Sequence, residues 1–234
     1  MKIYRRFIQE LNNFIYAFKA YASRIKPKVE YNVPFVCQFA HSDHSELSLK
    51  KKLDPKDDKY WFETGAISPE RYAEWAFTMC GMASAAMALS HFKNKDIKPV
   101  VLAEDALSHN VYHEEEDGTL SSMKYREFAE WIGKYNLKAT VLSRLNVRGI
   151  QFALTNEKLV MISVNPDIRE YETASQTQKG GHLVIVTGYN KDERTIIINN
   201  PSGFVSNNTQ IGHTISLKVF NKYYAGRGII LDSK

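Results

Sequence analysis

The chain has 234 residues, of which 44% are hydrophobic and 24% are charged, and its formal net charge is +5. These proportions are typical of a globular protein and exclude a disordered or fibrous chain. Its two cysteines are too few for the disulfide framework of a small secreted domain, and no apolar run approaches the roughly 20 residues that span a membrane. We therefore expect a cytoplasmic protein.

The positive charge is concentrated at the start of the chain. Residues 1–28 contain seven lysines and arginines but only one glutamate, so the remainder of the protein is close to neutral. A nearly neutral body lacks the broad cationic surface that nucleic acids require, and we predict no nucleic-acid partner.

An amphipathic helix is predicted over residues 1–25, ending before Pro27. Its apolar residues recur at three- and four-residue spacing and include Tyr4, Phe7, Leu11, Phe14, Phe18 and Tyr21. Such a basic, aromatic helix either lies on an anionic membrane surface or packs against the protein body or a partner protein, and the sequence leaves both interpretations open. We assign residues 1–28 to this helical segment and residues 29–234 to the main domain.

Helices follow in the first half of the main domain. A short extended piece at 31–39 leads into a polar insertion at 41–67, which is predicted to be a long loop that borders a site. Ser68 is predicted to cap a helix that starts at Pro69 and ends near Ala76. Further helices are predicted in three apolar segments, namely 80–92, 101–109 and 123–135.

The second half of the chain is predicted to form strands. Short runs rich in β-branched residues occur at 139–142, 159–164, 182–189, 195–198, 214–220 and 228–231, with one helix predicted at 147–155. Helices first and a largely antiparallel sheet second indicate an α+β fold.

Cys80 is the first candidate for chemistry, because it stands at the predicted start of a buried helix. The unpaired N–H groups and the dipole of a helix start stabilise an anion, and so favour the reactive thiolate of a nucleophilic cysteine. Gly81 would let a substrate backbone approach closely, and we assign it to substrate binding. From this segment alone, a buried core cysteine explains the pattern equally well.

His182 is the candidate base. It follows Gly180 and Gly181 and begins a predicted strand, so a rigid element would hold the ring while Gly181 leaves space for substrate. Asn200 ends the next predicted strand, and a short hairpin would bring its side chain to the imidazole. Asn199 is an alternative, because neighbouring residues of a strand point to opposite faces and only one of the two should face His182.

Four motifs in this order resemble those of a known family. They are Pro34–Gln38 (PFVCQ), Cys80-Gly81, Gly181-His182 and Asn200-Pro201, and the resemblance extends over residues 32–231. Together they resemble papain-like cysteine peptidases, in particular the bacterial bacteriocin-processing, double-glycine-peptidase-like group known as cysteine peptidase family thirty-nine. The resemblance implies a papain-like fold, with the nucleophile at a helix start and the base on an antiparallel sheet.

The resemblance also implies roles for four residues. Cys80 matches the nucleophile, His182 the general base, Asn200 the third residue that orients the base, and Gln38 the glutamine of the oxyanion hole. The implied activity is a thiol-dependent hydrolase without a cofactor, which cleaves a peptide or another amide bond of a peptide or protein substrate through a thioester.

Other functions remain open at this point. An acyl transferase would use the same residues with an amine in place of water, and a non-catalytic module of the same fold would bind a leader peptide without cutting it. Cys37, His41 and His44 have spacings that a zinc site could use with Cys80, but His41 and His44 fall in a polar segment where exposed imidazoles are common. We therefore predict no metal site and no disulfide between the two cysteines.

Overall fold

The structure is a computed structural model that describes residues 2–172 and 178–233, with side chains from residue 7 onward. Its helices are α1 Lys2–Ala22, α2 His44–Leu49, α3 Pro69–Ala76, α4 Cys80–Lys93, α5 Pro99–Ser108, α6 Tyr125–Trp131, α7 Val147–Thr155 and α8 Leu217–Tyr223. Its strands are β1 Lys28–Glu30, β2 Leu137–Leu142, β3 Leu159–Val164, β4 His182–Asn190, β5 Thr195–Asn199, β6 His213–Ser216 and β7 Tyr224–Ser233. No helix in the described ranges is both long and apolar enough to cross a membrane.

The strands form one antiparallel sheet with helices on both faces. The strand order is β2-β7-β3-β4-β5-β6, and the short β1 pairs with the end of β4. Helix α4 packs on β3, β4 and β7, while α7 packs on β3 and β4 and α8 packs on β5 and β6. Every residue of β3 is buried, as expected for a central strand that is covered on both faces. The α+β prediction is confirmed.

Helix α4 lies close to the sheet because its first turns carry small residues. All residues from Gly81 to Leu89 are buried. A Cβ atom added to Gly81 would lie 2.6 Å from Met123 Sδ and 3.2 Å from Leu183 Cδ1, which is closer than side chains normally pack. Gly81 therefore lets the start of α4 approach β4, where Leu183 follows His182.

One predicted strand is partly wrong. Residues 214–220 were predicted as a single strand, but β6 ends at Ser216 and α8 begins at Leu217. Ser216 Oγ accepts a hydrogen bond from the N–H of Val219 at 3.3 Å, which is the geometry of an N-cap. The β-branched residues of this segment favour a strand locally, and the serine cap ends that strand.

The polar segment 41–67 is more ordered than the predicted loop. It contains α2 and two 3-10 turns, Pro55–Asp57 and Trp61–Thr64. Asp58 is buried and accepts from His44, with 2.8 Å between Oδ2 and Nδ1. This contact joins two parts of the segment, and α3 packs on both 3-10 turns.

Candidate active site

Cys80 lines a cleft between the helical layer and the sheet. It is the first residue of α4 and follows α3 after a connection from Phe77 to Met79. The cleft has a volume of about 620 Å³ and is also lined by His182. The Leu183 backbone acts to lower the pKa of the Cys80 thiol, which favours a thiolate. The structure therefore brings the predicted nucleophile and the predicted base to one cleft. Other parts of the wall come from α1, α6, β2, β3 and β7, and include Gln9, Arg126, Leu142, Ser163 and Arg227.

His182 is held at the start of β4, with only 4% of its surface exposed. Gly180 and Gly181 precede it with φ angles of +91° and +97°, a region that favours glycine. The space beside Gly181 is open, since the nearest atom to an added Cβ is Pro166 Cδ at 3.9 Å. Gly181 also lines the cleft, whereas Gly81 does not. Of the two glycines that the sequence assigned to substrate binding, the structure thus brings only Gly181 to the cleft.

Asn200, rather than Asn199, faces the imidazole. Asn200 is fully buried, and its Oδ1 lies 2.8 Å from His182 Nε2. An amide oxygen can only accept, so Nε2 carries the proton and Nδ1 is left as the basic nitrogen. The side chain of Asn199 points away, donates to the carbonyl of Val33 at 3.1 Å and accepts from the N–H of Gly212 at 2.9 Å. Asn199 is the last residue of β5 and Asn200 follows it, and the two side chains have different partners.

Gln38 lies between the Asn200 turn and the helical layer. Its backbone N–H donates to Pro201 O at 2.7 Å, and its Nε2 donates to Ala76 O at 2.8 Å. Ala76 ends α3, so the amide lies beside the connection that leads to Cys80. Gln38 Oε1 is buried without a hydrogen-bond partner in the described part of the chain, and Gln38 is not among the cleft-lining residues. Its oxyanion role stays a prediction.

Ser202 and Arg169 extend the hydrogen bonds behind His182. Ser202 Oγ lies 3.1 Å from His182 Nε2 and accepts from Arg169 Nη2 at 2.9 Å. The N–H of Ser202 also donates to Asn200 Oδ1 at 3.1 Å, which fixes the orientation of that amide. Arg169 Nε is buried and finds no partner among the described residues. A guanidinium thus lies one hydroxyl away from the candidate base.

Burial and this guanidinium set the charge state of the site. Burial raises the pKa of the Cys80 thiol above its ordinary value, although backbone N–H groups and the charge of Arg169 oppose the change. Burial, followed by the charge of Arg169, lowers the pKa of His182 to about 3, against the effect of the Asn200 hydrogen bond. Burial also lowers the pKa of Arg169 to about 10, so it stays charged at neutral pH. At that pH the thiol and the imidazole are therefore both neutral. The helix start acts in the expected direction, but burial outweighs it.

Little in the sequence indicated that Ser202 and Arg169 would lie beside His182. Ser202 stands in a Pro-Ser-Gly turn, and Arg169 stands among Asp167, Glu170 and Glu172, which is typical of an exposed charged segment. The one available clue was the position of Ser202, two residues after the candidate orienting residue, where an Asx turn brings the chain back.

The zinc interpretation finds no support in the described residues. They contain no group of three or more His, Cys, Asp or Glu side chains that could hold a metal ion. His44 binds Asp58, and the Cys37 thiol contacts the carbonyl of Pro201 at 3.5 Å. Cys37 and Cys80 are both free thiols.

Comparison with known proteins identifies a family match. A model of the Peptidase_C39 like family matches residues 30–228. No curated protein sequence matches the chain. The family match includes Gln38, Cys80, His182 and Asn200.

Two solved structures are similar to this chain at low identity. One is a double glycine motif protease from an AMS/PCAT transporter in complex with the leader peptide, with 18% identity, a TM-score of 0.44 and coverage of 68% of this chain and 86% of that one. The other is the peptidase domain of Streptococcus ComA, a bifunctional ABC transporter of a quorum-sensing pathway, with 14% identity, a TM-score of 0.43 and coverage of 67% and 92%.

Proposed function

Because this chain belongs to the Peptidase_C39 like family, we propose that it is a cysteine peptidase that cleaves a peptide bond through a thioester on Cys80. The observation that carries the proposal is the 2.8 Å hydrogen bond between His182 Nε2 and Asn200 Oδ1, beside the cleft that Cys80 lines. A nucleophile, a base and a residue that orients the base support acyl chemistry. Family membership supports a peptide as the substrate class.

The proposed reaction begins from a neutral thiol and a neutral imidazole. His182 Nδ1 takes the proton of the Cys80 thiol while the sulfur attacks the carbonyl carbon of the substrate. The imidazolium then gives that proton to the leaving amine, the C–N bond breaks, and a thioester remains. Water attacks the thioester with His182 again as base, which releases the acid and restores the thiol.

The developing oxyanion requires donors near the start of α4. The backbone N–H of Cys80 is one of the unpaired donors of a helix start, and the second hydrogen of Gln38 Nε2 is the other proposed donor. Gln38 is suited to this role because Ala76 O and Pro201 O anchor it between α3 and the Asn200 turn.

Arg169 is proposed as a positioning residue that acts through Ser202. Its charge favours a Cys80 thiolate and disfavours a His182 imidazolium, since like charges repel and opposite charges attract. The imidazole therefore stays neutral and available as a base when substrate arrives. Ser202 and Asn200 both lie within hydrogen-bond distance of Nε2, which keeps the proton there and leaves Nδ1 basic.

Alkylation of Cys80 tests the base directly. The intact protein is treated with iodoacetamide at neutral pH, and peptide mapping by mass spectrometry separates the rates of Cys80 and Cys37. We expect His182→Ala to slow Cys80 by roughly a hundredfold or more, as for loss of a general base, while Cys37 keeps its rate as an internal control. Equal Cys80 rates in the two proteins would overturn the proposal and favour a non-catalytic peptide-binding module.

Product analysis separates hydrolysis from acyl transfer. The protein is incubated with a peptide pool in isotope-labelled water, with Cys80→Ser as the inactive control. A cysteine peptidase incorporates one labelled oxygen into the new carboxyl group, whereas a transferase forms an amide with an amine acceptor and incorporates none. An acid quench followed by intact mass measurement should also reveal the thioester on Cys80.

A further inference from the structure

Helix α1 docks on the protein through its polar side. Asn13 is buried, with Nδ2 donating to Ser143 Oγ at 2.8 Å and Oδ1 accepting from the Ser143 N–H at 3.1 Å. Tyr16 OH donates to the carbonyl of Gly149 at 3.1 Å. At the end of the helix, the Arg148 guanidinium donates to the carbonyls of Ala20, Tyr21 and Ser23. These contacts orient the helix on β2 and α7.

The opposite side of α1 is apolar and exposed. Phe14 is 69% exposed, Phe18 is 65% exposed and Tyr21 is 79% exposed. Seven of the fourteen large hydrophobic side chains that are exposed in the described part of the chain lie on this helix. They form what we call the outward face, namely Phe7, Ile8, Leu11, Phe14, Ile15, Phe18 and Tyr21. Contiguous apolar surface of this kind marks an interaction site.

The charge around the outward face indicates what binds there. Residues 1–28 hold seven basic residues, and the only acidic one, Glu10, pairs with Arg144 at 2.9 Å. Lys19 of α1 is exposed, as are Arg24 and Lys26 just after the helix. Two copies of such a helix packed face to face would bring like charges together. An anionic surface with an apolar layer beneath it complements both properties.

We propose that the outward face of α1 binds the surface of an anionic lipid bilayer, with the helix parallel to the membrane plane. The phenylalanines enter the acyl boundary, and the basic side chains contact the headgroups. Gln9 of α1 lines the same cleft as Cys80, so this orientation holds the cleft close to the lipid surface. The proposal does not depend on whether Cys80 is catalytic.

Vesicle sedimentation of the full-length protein tests this surface. Vesicles of phosphatidylcholine alone are compared with vesicles that also contain phosphatidylglycerol, at low and high salt. We expect binding to the anionic vesicles that weakens with salt. Phe14→Ser/Phe18→Ser should lower the partition coefficient at least tenfold, because burying one phenylalanine is worth about that factor or more. Lys19→Gln/Arg24→Gln should weaken binding to the anionic vesicles only.

Matched variants control for the loss of apolar or basic side chains elsewhere on the surface. Phe62→Ser/Ile67→Ser removes two apolar side chains that are 58% and 88% exposed. Phe62 lies in the 3-10 turn Trp61–Thr64, which packs on α3 and α5, and Ile67 follows that turn. Lys95→Gln/Lys218→Gln removes two exposed cations outside residues 1–28. Both should bind vesicles as the unaltered protein does. Circular dichroism checks that all variants are folded.

Three results would overturn the proposal. The unaltered protein could stay in the supernatant with anionic vesicles at low salt. The phenylalanine variant could bind as strongly as the unaltered protein. Sedimentation equilibrium could show a dimer that the same variant dissociates, which would assign the outward face to a second copy of the chain.

Discussion

Asn200 Oδ1 lies 2.8 Å from His182 Nε2 at the place where β5 has just ended and β4 has just begun. The antiparallel pairing of these strands, with Ile185 opposite Asn199, brings the two side chains to one edge of the sheet. The contact therefore depends on strand register as well as on residue type.

Asn200→Ala should slow alkylation of Cys80 by roughly tenfold or more, because the imidazole loses the acceptor that keeps its proton on Nε2. The measurement is the iodoacetamide rate at neutral pH. Asn199→Ala is the matched control, since the Asn199 side chain binds Val33 and Gly212 instead. That variant should lose stability but keep the Cys80 rate. If both variants retain the rate, Asn200 does not orient His182.

Arg169→Gln should move the pH dependence of Cys80 reactivity upward. The guanidinium lowers the pKa of both Cys80 and His182, so its removal lets both values rise. The rate of alkylation is followed against pH, and the thiolate should then form at higher pH than in the unaltered protein. Arg169→Lys keeps the charge and should restore part of the shift.

Arg126→Gln is the control for that experiment. Arg126 lines the same cleft but pairs with Glu130 at 3.1 Å, and its side chain is 55% exposed. It should leave the pH profile unchanged. A profile of Arg169→Gln that coincides with that of the unaltered protein would argue that Arg169 only supports the fold around Ser202.

Acid should destabilise the fold through two buried histidines. Burial lowers the pKa of His213 to about 4, and burial with the charge of Arg169 lowers that of His182 to about 3. An unfolded histidine titrates near 6.5, so between about pH 6.5 and 4 the unfolded state binds more protons than the folded state. The free energy of unfolding should therefore fall as pH falls through this window, by up to about 1.4 kcal/mol per pH unit for each histidine.

His213→Gln isolates one of these contributions. Urea unfolding across the same pH window should show a shallower pH dependence, with one histidine's share removed. His113→Gln changes a side chain that is 62% exposed and serves as the control. If the free energy of unfolding of the His213→Gln variant depends on pH as steeply as that of the unaltered protein, His213 does not contribute to the acid destabilisation.

Asn13→Ala should loosen α1 from the body. The substitution leaves the N–H and Oγ of Ser143 without their partner, which costs about 1–3 kcal/mol. Hydrogen exchange of the α1 amides should accelerate accordingly. Asn12→Ala, at the neighbouring exposed position, should leave exchange unchanged. Equal exchange in both variants would mean that α1 is held mainly by Tyr16 and Arg148.

Much of the fold could be predicted from local patterns. The bounds of α7 and β3 match the predicted segments, and Ser68 caps α3 as expected, with Oγ accepting from the Arg71 N–H at 3.2 Å. Periodicity and capping depend on residues that are close in the chain, so both can be recognised in the sequence. The prediction of a single strand at 214–220 was wrong because a strand pattern and a serine cap compete within a few residues there.

The candidate site likewise combines features that the sequence predicts with features that only the fold decides. The order of Gln38, Cys80, His182 and Asn200 was readable from the sequence, but the choice of Asn200 over Asn199 required the different partners that the two side chains have in the fold. Arg169 and Ser202 are separated by thirty-three positions, and only the folded chain brings the guanidinium to the hydroxyl behind the base.

Helix α1 is the clearest example of a predicted element whose orientation the sequence alone does not determine. By itself the sequence determined that residues near the start form an amphipathic, basic helix, because helical periodicity is a local property. Only the tertiary structure decided that the polar side, through Asn13 and Tyr16, faces the protein. That orientation depends on partners such as Ser143 and Gly149, which lie more than a hundred positions away in the chain.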